Sequence, residues 1–368
     1  MDLEKKIAFS MIRGLNISLG NSLLERVGTE DDFFRLPAPE LKLLSRLKED
    51  IVTDSYRQKL REKAREEFKF LYANDIHTHY FRDDNFPKRL LDTPDGPALI
   101  YRLGDDVLDT KYTVGIVGTR HATAVGCKIT EDIVKDLATA LGRDVTIISG
   151  LAYGIDVAAH KAALKEKIPT IAVLAHPLNS IYPADHRGVA VQIVKEGGAL
   201  ITEYPTSAKV HQAYFLARNR IIAGLSDVVI VVESDYRGGA MTTARIASDY
   251  NREVMAVPGR LTDKYSNGTN RLIASQRAMM FTDTDSLLDT MGWTKKEYPS
   301  TESKLILNLT ERQQEVLDYI TEHPDLTVND LVRQMQIPYS RISETIFELE
   351  MADYIISLPG GRYAPLTT

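Results

Sequence analysis

Cysteine is nearly absent: Cys127 is the one thiol in 368 residues. A single cysteine excludes an internal disulfide framework and a cysteine-rich zinc site, and it fits a reducing compartment. No stretch approaches the ~20 consecutive apolar residues of a membrane helix. The opening residues, MDLEKKIAFSMIRG, lack the apolar run and small-residue cleavage site of a signal peptide. The expectation is a soluble, cytoplasmic protein with no membrane partner. An excess of base is also missing, with 45 Lys+Arg against 51 Asp+Glu and a formal charge of −6. That deficit is local. Residues 309–368 hold four basic and ten acidic side chains, so residues 1–308 carry 41 of each. An acidic whole therefore does not exclude an anionic partner for the middle of the chain.

The most informative absence is a shorter one. Between Tyr204 and Ser226 there is no Asp or Glu, yet YFLARNRIIAGLSDVV sets Arg218 and Arg220 around Asn219 inside that stretch. Either the arginines reach distant carboxylates inside the fold, or they wait for an anion that the chain does not supply.

Residues 1–70 read as a small helical domain. RGLNISLGNSLLERVG pairs a turn at Gly14–Asn16 with an amphipathic run; it is faintly similar to a helix-hairpin-helix, in which Asn16 could adopt the left-handed backbone of the second glycine, but a small helical packing module is the preferred reading. The basic run YRQKLREKAREEFKF is interleaved with Glu62, Glu66 and Glu67 and reads as a solvated helix face. Residues 71–110, broken by Pro87, Pro94 and Pro97, read as an ordered loop. The bare HxH of His77 and His79 lacks the further ligands a metal needs. From Lys111, apolar runs alternate with helix-length spacers: YTVGIV (112–117), VTIIS (145–149), TIAVLA (170–175), ALITE (199–203), VVIVVE (228–233) and VMAV (254–257). Candidate helices fill the spacers, among them Ala124–Leu141, Asp156–Glu166 and Met241–Asn251. Continuously apolar strands separated in this way predict a doubly wound, mostly parallel α/β sheet over 71–294. A polar linker, 295–304, leads to 305–368, where three helices and a hairpin turning at Pro359–Gly361 give a winged-helix-like order. Its third helix carries Arg341 against Glu344, Glu348 and Glu350, which repel phosphate, so a protein-contact or regulatory module is expected.

In such sheets ligands bind at the carboxyl ends of the strands, and the exits here are GTRHATAVG, GLAYGID, HPLNSIYP, SDYRGGAMTTA and PGR. Gly115, Gly118 and Thr119 form a tight turn whose backbone N–H groups could face an anion at a helix N-terminus. There is no G-x-x-x-x-G-K-[ST], which argues against nucleoside triphosphate hydrolysis. The second strand ends in Ser149–Gly150, with no acid for a ribose hydroxyl, so NAD is not expected. No cofactor is predicted.

The blocks VGIVGTRHATAVG, ISGLAYGIDVAAHKAAL, TIAVLAHPLNSIYP, ITEYP, FLARNRIIAGLSDVVIVVES and AVPGR…SNGTNRLI occur in this order. Together they resemble the DNA-processing protein A family (DprA/Smf), across roughly Phe81 to Asp289. The resemblance implies an extended Rossmann domain that binds single-stranded DNA without sequence preference and dimerises. It also implies that the domain protects the incoming strand and hands it to the recombinase RecA in natural transformation, with no enzymatic step. Carried over by position, Gly118, Thr119 and Arg120 match the family's G-S/T-R turn, and Ser149 and Gly150 its S-G-x-A-x-G-I-D loop. Arg218, Asn219 and Arg220 match its R-N-R, preceded by Phe215. Departures are Leu216 for a proline, Arg237–Ala240 for a serine-glycine-serine turn, and Gln276–Ala278 for a glycine-alanine.

The chemistry of these residues agrees. Arginine offers a forked donor to phosphate, although positions 218 and 220 of a helix project about 200° apart. Phe215 either stacks a base or plugs the core. Lys209 and His211 read as surface charge, and Lys209 is counted with the DNA contacts. Asp156, His160 and Glu203 could suggest acid–base catalysis, but they read as crevice support: Asp156 as a helix cap, His160 one turn on, Glu203 holding an arginine. The alternative is a Rossmann-fold nucleoside-monophosphate phosphoribohydrolase with P-G-G-x-G-T-x-x-E. RGGAMTTAR shows that skeleton with Arg237 at the proline and Arg245 at the catalytic glutamate, a reversal of charge that argues against hydrolysis.

Overall fold

A computed structural model of the chain describes residues 2–295, 309–323, 326–352, 354–358 and 362–365. They form two compact units, Met1–Lys296 and Glu297–Thr368.

The larger unit opens with six helices, α1 (Asp2–Ser10), α2 (Ile17–Val27), α3 (Glu30–Arg35), α4 (Ala38–Ser45), α5 (Glu49–Val52) and α6 (Asp54–Ala73). Side-chain caps start several of them: Asn16 accepts from the Leu19 amide, Thr29 and Asp32 form a capping box, and Thr53 accepts from the Tyr56 amide. Capping also corrects the helix-hairpin-helix reading of Asn16. Gly14 is left-handed at φ +78°, but Asn16 is extended at φ −136° because its side chain is spent on the cap. Nor is α6 wholly solvated. Arg57 is buried and donates to the carbonyls of Phe33 and Leu36. Glu67, also buried, accepts from the Thr206 amide at 2.7 Å, and desolvation pushes its carboxyl above the usual range. These helices share one apolar core with the sheet that follows.

That sheet has nine strands: β1 (His77–Tyr80), β2 (Leu99–Gly104), β3 (Tyr112–Val117), β4 (Val145–Ser149), β5 (Thr170–Val173), β6 (Ala199–Thr202), β7 (Val228–Val231), β8 (Glu253–Ala256) and β9 (Met279–Met280). Their order is β1-β2-β6-β5-β4-β3-β7-β8-β9. Strands β3 to β9 run parallel, while β2 is antiparallel to both β1 and β6. All six apolar runs are strands. The stretch read as a loop, 71–110, contains two more, with the prolines lying between them beside the short helix α7 (Lys88–Leu91). HTHY carries no apolar run to announce β1. Its His79 is nevertheless fully buried, with Nδ1 2.6 Å from the Asn85 carbonyl and Nε2 accepting from Arg102 Nε at 2.9 Å.

Seven more helices cover the sheet: α8 (Ala124–Leu141), α9 (Ile155–Lys165), α10 (Arg187–Lys195), α11 (Gln212–Leu225), α12 (Gly239–Asp249), α13 (Asn267–Ala274) and α14 (Thr284–Met291). The two faces separate along β7. Val229 and Val231 enter the core shared with α11 and α12, whereas Val228 and Ile230 enter the one shared with α8, α9 and α14. Sequence order reverses at β3, which lies between β4 and β7. This is the topological switch point, where open α/β sheets leave a crevice.

The smaller unit holds α15 (Glu311–Glu322), β10 (Leu326–Thr327), α16 (Val328–Met335), α17 (Tyr339–Met351), β11 (Ile355–Leu358) and β12 (Arg362–Pro365). The strands pair antiparallel in the order β10-β12-β11, and the helices enclose Val316, Ile320, Leu331, Ile342, Ile346 and Leu349. On α17, Arg341 lies 3.8 Å from Glu344. The hairpin turn expected at Pro359–Gly361, and the linker beyond Lys295, lie outside the described residues.

Candidate nucleic-acid interface

A pocket of about 720 Å³ opens at the switch point, walled by the β3–α8 turn, by α11 and by the first turn of α12. Gly118, Thr119, Arg120, Phe215, Arg218 and Asn219 all line it, so the structure brings together residues separated by a hundred positions. Ser149, Gly150, Arg220 and Lys209 do not line it. Lys209 is exposed on the loop before α11, beside the lining residue Val210.

The β3–α8 turn is not an open anion cradle. The Thr119 amide donates to the Glu233 carbonyl at 2.7 Å. The Glu233 carboxylate sits over the start of α8, taking the Thr123 amide at 2.9 Å and the Thr123 hydroxyl at 2.5 Å. A Cβ on Gly126 would meet that carboxyl carbon at 2.4 Å, so glycine there lets the acid approach the helix end. An internal carboxylate thus holds the position expected for an outside anion, and the partial positive charge of the helix end favours it there. Gly118 and Gly154 keep the turn tight. Their Cβ atoms would strike Ile155 at 2.4 Å and the Thr119 carbonyl at 2.1 Å, and Gly154 is left-handed at φ +76°.

The two arginines of α11 go opposite ways and are both engaged. Arg220 pairs with Glu203 at 2.5 Å, the two side chains being 15% and 17% exposed. Arg218 is buried, its Nη1 donating to the carbonyls of Gly150 and Val173 at the ends of β4 and β5. The expectation of a rim without counter-carboxylates is therefore corrected for this pair. The stretch around them has no acid, but the fold brings Glu203 to Arg220 and Asp156 near Arg218. Arg218 also explains Gly150, whose Cβ would lie 2.0 Å from Nη1. Ser149 is buried too, donating to the Ile116 carbonyl at 2.7 Å, and is corrected from contact to support. Arg218 Nε is buried and has no hydrogen-bond partner among the described residues.

Asp156 lies within the first turn of α9, behind a Gly154 cap position, so it is not the cap itself. Its carboxylate accepts from the amides of Gly150 and Ala152 and faces Arg218. Burial nonetheless pushes it above the usual carboxylate range. His160 is fully buried on Thr170, and desolvation beside Arg218 and His186 holds its pKa down at about 3. The ring is thus neutral at neutral pH, and it does not line the pocket.

What remains free is Arg120. It is exposed, has no ion pair among the described residues, and sits with its guanidinium carbon 5.6 Å from the centroid of Phe215. Phe215 is half-buried and meets half-exposed Tyr182 edge-on at 5.5 Å, so it forms a wall and does not plug the core. Asn219, 9% exposed, lines the same pocket, and its side chain makes no hydrogen bond among the described residues. Beyond Arg120 and His121 a second open pocket of about 760 Å³ runs between α8 and α9, past Tyr153 and Lys161. Sequence reading missed Glu233 and Tyr182. The acid closing VVIVVE was the available signal for the first, since a strand-end residue at a switch point faces the crevice.

The family profile described as DNA recombination-mediator protein A matches residues 77–292, and one described as the DprA winged helix domain matches residues 300–361. Protein Smf of Escherichia coli (strain K12) is 34% identical over 285 residues, which cover 75% of this chain and 74% of that protein. The structure of DNA processing protein A from Streptococcus pneumoniae superposes with a TM-score of 0.65 at 28% identity, over 78% of this chain and 97% of that one. DNA processing protein A from Helicobacter pylori, whose structure concerns its single-stranded DNA binding mode, superposes at 0.52 with 32% identity, over 59% and 95%.

Proposed function

This chain belongs to the DNA recombination-mediator protein A family, and from that premise we propose that its switch-point crevice binds single-stranded DNA without sequence preference. The carrying observation is Arg120, an exposed guanidinium with no ion pair among the described residues, held against an aromatic wall in the pocket that Asn219 also lines. Arginine bridges phosphate oxygens and Phe215 and Tyr182 accept bases, neither of which reads sequence. Arg218 contributes from below as a buried positive charge, while Arg220 and Glu203 brace α11. Protection of an incoming strand, its transfer to RecA, a homodimer and a cytoplasmic location complete the proposal, on the strength of family membership. No helix among the described residues is long and apolar enough to cross a membrane.

Binding without catalysis is the reading the site favours. Arg245, at the place of the hydrolase glutamate, pairs with Asp249 at 3.0 Å, and the α12 residues on the pocket are Gly239, Ala240 and Thr243. The test is a titration of labelled single- and double-stranded oligonucleotides at several salt concentrations. Wild-type protein should prefer single strands, with log affinity falling against log salt by ~0.7 per phosphate engaged, and Arg120→Ala should weaken all sequences alike. Loss confined to one sequence, or release of free base from nucleoside monophosphates, contradicts the proposal.

A further inference from the structure

Next to the crevice, two loops left out of the site are fastened together. The Ser234 amide donates to the Tyr265 carbonyl at 2.6 Å, and the Gly268 amide returns to the Ser234 carbonyl at 2.8 Å. Packing is close enough that a Cβ on Gly268 would strike the carbonyls of Ser234 and Asp235 at 2.7 and 2.8 Å. This rigid pair presents aromatic rings already matched with cations. Tyr236, 47% exposed, has the Arg271 guanidinium carbon 4.3 Å from its centroid. Tyr265 has Lys264 Nζ at 5.6 Å and lies nearly parallel to the His121 ring, 6.3 Å away. His121 lines the crevice, and Gly238 and Gly239, next to Tyr236, line it as well, so the platform continues the pocket.

Charge favours an anion here. Arg237, Arg260 and Arg271 are exposed and make no ion pair among the described residues. The acids nearby are Asp235, 4.0 Å from Lys264, and Asp263. Solvent-accessible aromatics, each held against a cation, with three unpaired guanidinium-bearing positions beside them or among them, form the pattern of a stacking groove.

We infer that the Tyr236–Arg271 and Tyr265–Lys264 pairs form a second stacking step for single-stranded nucleic acid, which lengthens the bound strand beyond the Arg120 crevice. The inference rests on the single-strand reading of the crevice. Nucleotides leaving Arg120 cross the start of α12 and lay a base on Tyr236, whose ring is preset by Arg271.

Oligothymidylates from about 4 to about 20 nucleotides, titrated against full-length protein by fluorescence anisotropy, separate the two zones. Arg120→Ala should weaken every length. Tyr236→Ala should leave the shortest ligands unchanged and cost the long ones roughly 5- to 100-fold, with the salt slope intact. Tyr236→Phe should restore them, and Arg271→Ala should lower the slope for long ligands only. If Arg120→Ala loses binding while Tyr236→Ala changes no length, or changes all lengths equally, this inference fails and the crevice stands. If wild-type protein binds no single strand, both fail.

Discussion

Lowering the pH from about 7 to about 5 is expected to destabilise the larger unit through one side chain, His160. The ring has no exposure, and its Nδ1 lies 2.7 Å from the Thr170 hydroxyl. That hydroxyl spends its proton on the Ile147 carbonyl at 2.8 Å, so Nδ1–H is the donor and Nε2 keeps a lone pair without a partner. Protonating Nε2 would place a second cation in a dry cluster that already holds Arg218. Desolvation, Arg218 and His186 together lower the pKa from 6.5 to about 3. The folded value lies below the unfolded one, so the unfolded chain takes up the proton first. The stability tied to this ring is complete above the unfolded pKa and is lost as pH falls from there towards the folded one. For one such group the loss is about 2 kcal/mol by about pH 5. Urea midpoints of wild type and His160→Gln, measured across pH at constant m-value, isolate the effect. His79 and His176 are also held below their usual range by burial, but they titrate in both proteins and cancel in the difference. Glutamine still donates to Thr170, so the variant should start lower and fall less steeply. Parallel stability curves would refute the reasoning.

Two substitutions probe the internal wiring of the crevice. Gly150→Ala should displace the Arg218 guanidinium, which lies 2.0 Å from the new Cβ, and break its bonds to two carbonyls; a loss of about 2–4 kcal/mol in urea unfolding is expected, since bonds to a buried charge are expensive to leave unmade. Glu233→Ala removes both contacts with Thr123 and the compensating charge at the start of α8; a loss of about 1–2 kcal/mol should follow, and an unchanged midpoint would show that the carboxylate is idle.

The architecture was legible in the sequence because buried parallel strands are written as unbroken Val/Ile runs, and all six were there. Strand β1 was not, since HTHY owes its burial to Arg102 and a carbonyl, partners unrelated to any local pattern. At the site, turn chemistry could be read and ion pairing could not. Glu203 lies seventeen residues before Arg220, across a loop, and nothing in the spacing says that they meet. An acid-free stretch is evidence about neighbours in sequence, whereas a guanidinium chooses neighbours in space. Motif position likewise failed to tell Ser149, bonded inward to Ile116, from Arg120, which faces out.

The division of labour between these arginines argues for the proposed polymer ligand over a single nucleotide. A mononucleotide site needs its strongest donors converging on one phosphate, usually at a helix start. Here the start of α8 is held by Glu233 and the deepest guanidinium by two main-chain carbonyls. The cations left over, Arg120 and the group around Tyr236, are exposed, and Arg120, Lys264 and Arg271 each lie over an aromatic ring. Single contacts of that kind are weak in water and screened by salt. Their sum becomes large only for a ligand that repeats phosphate and base at every step, which is the chemistry of a single strand.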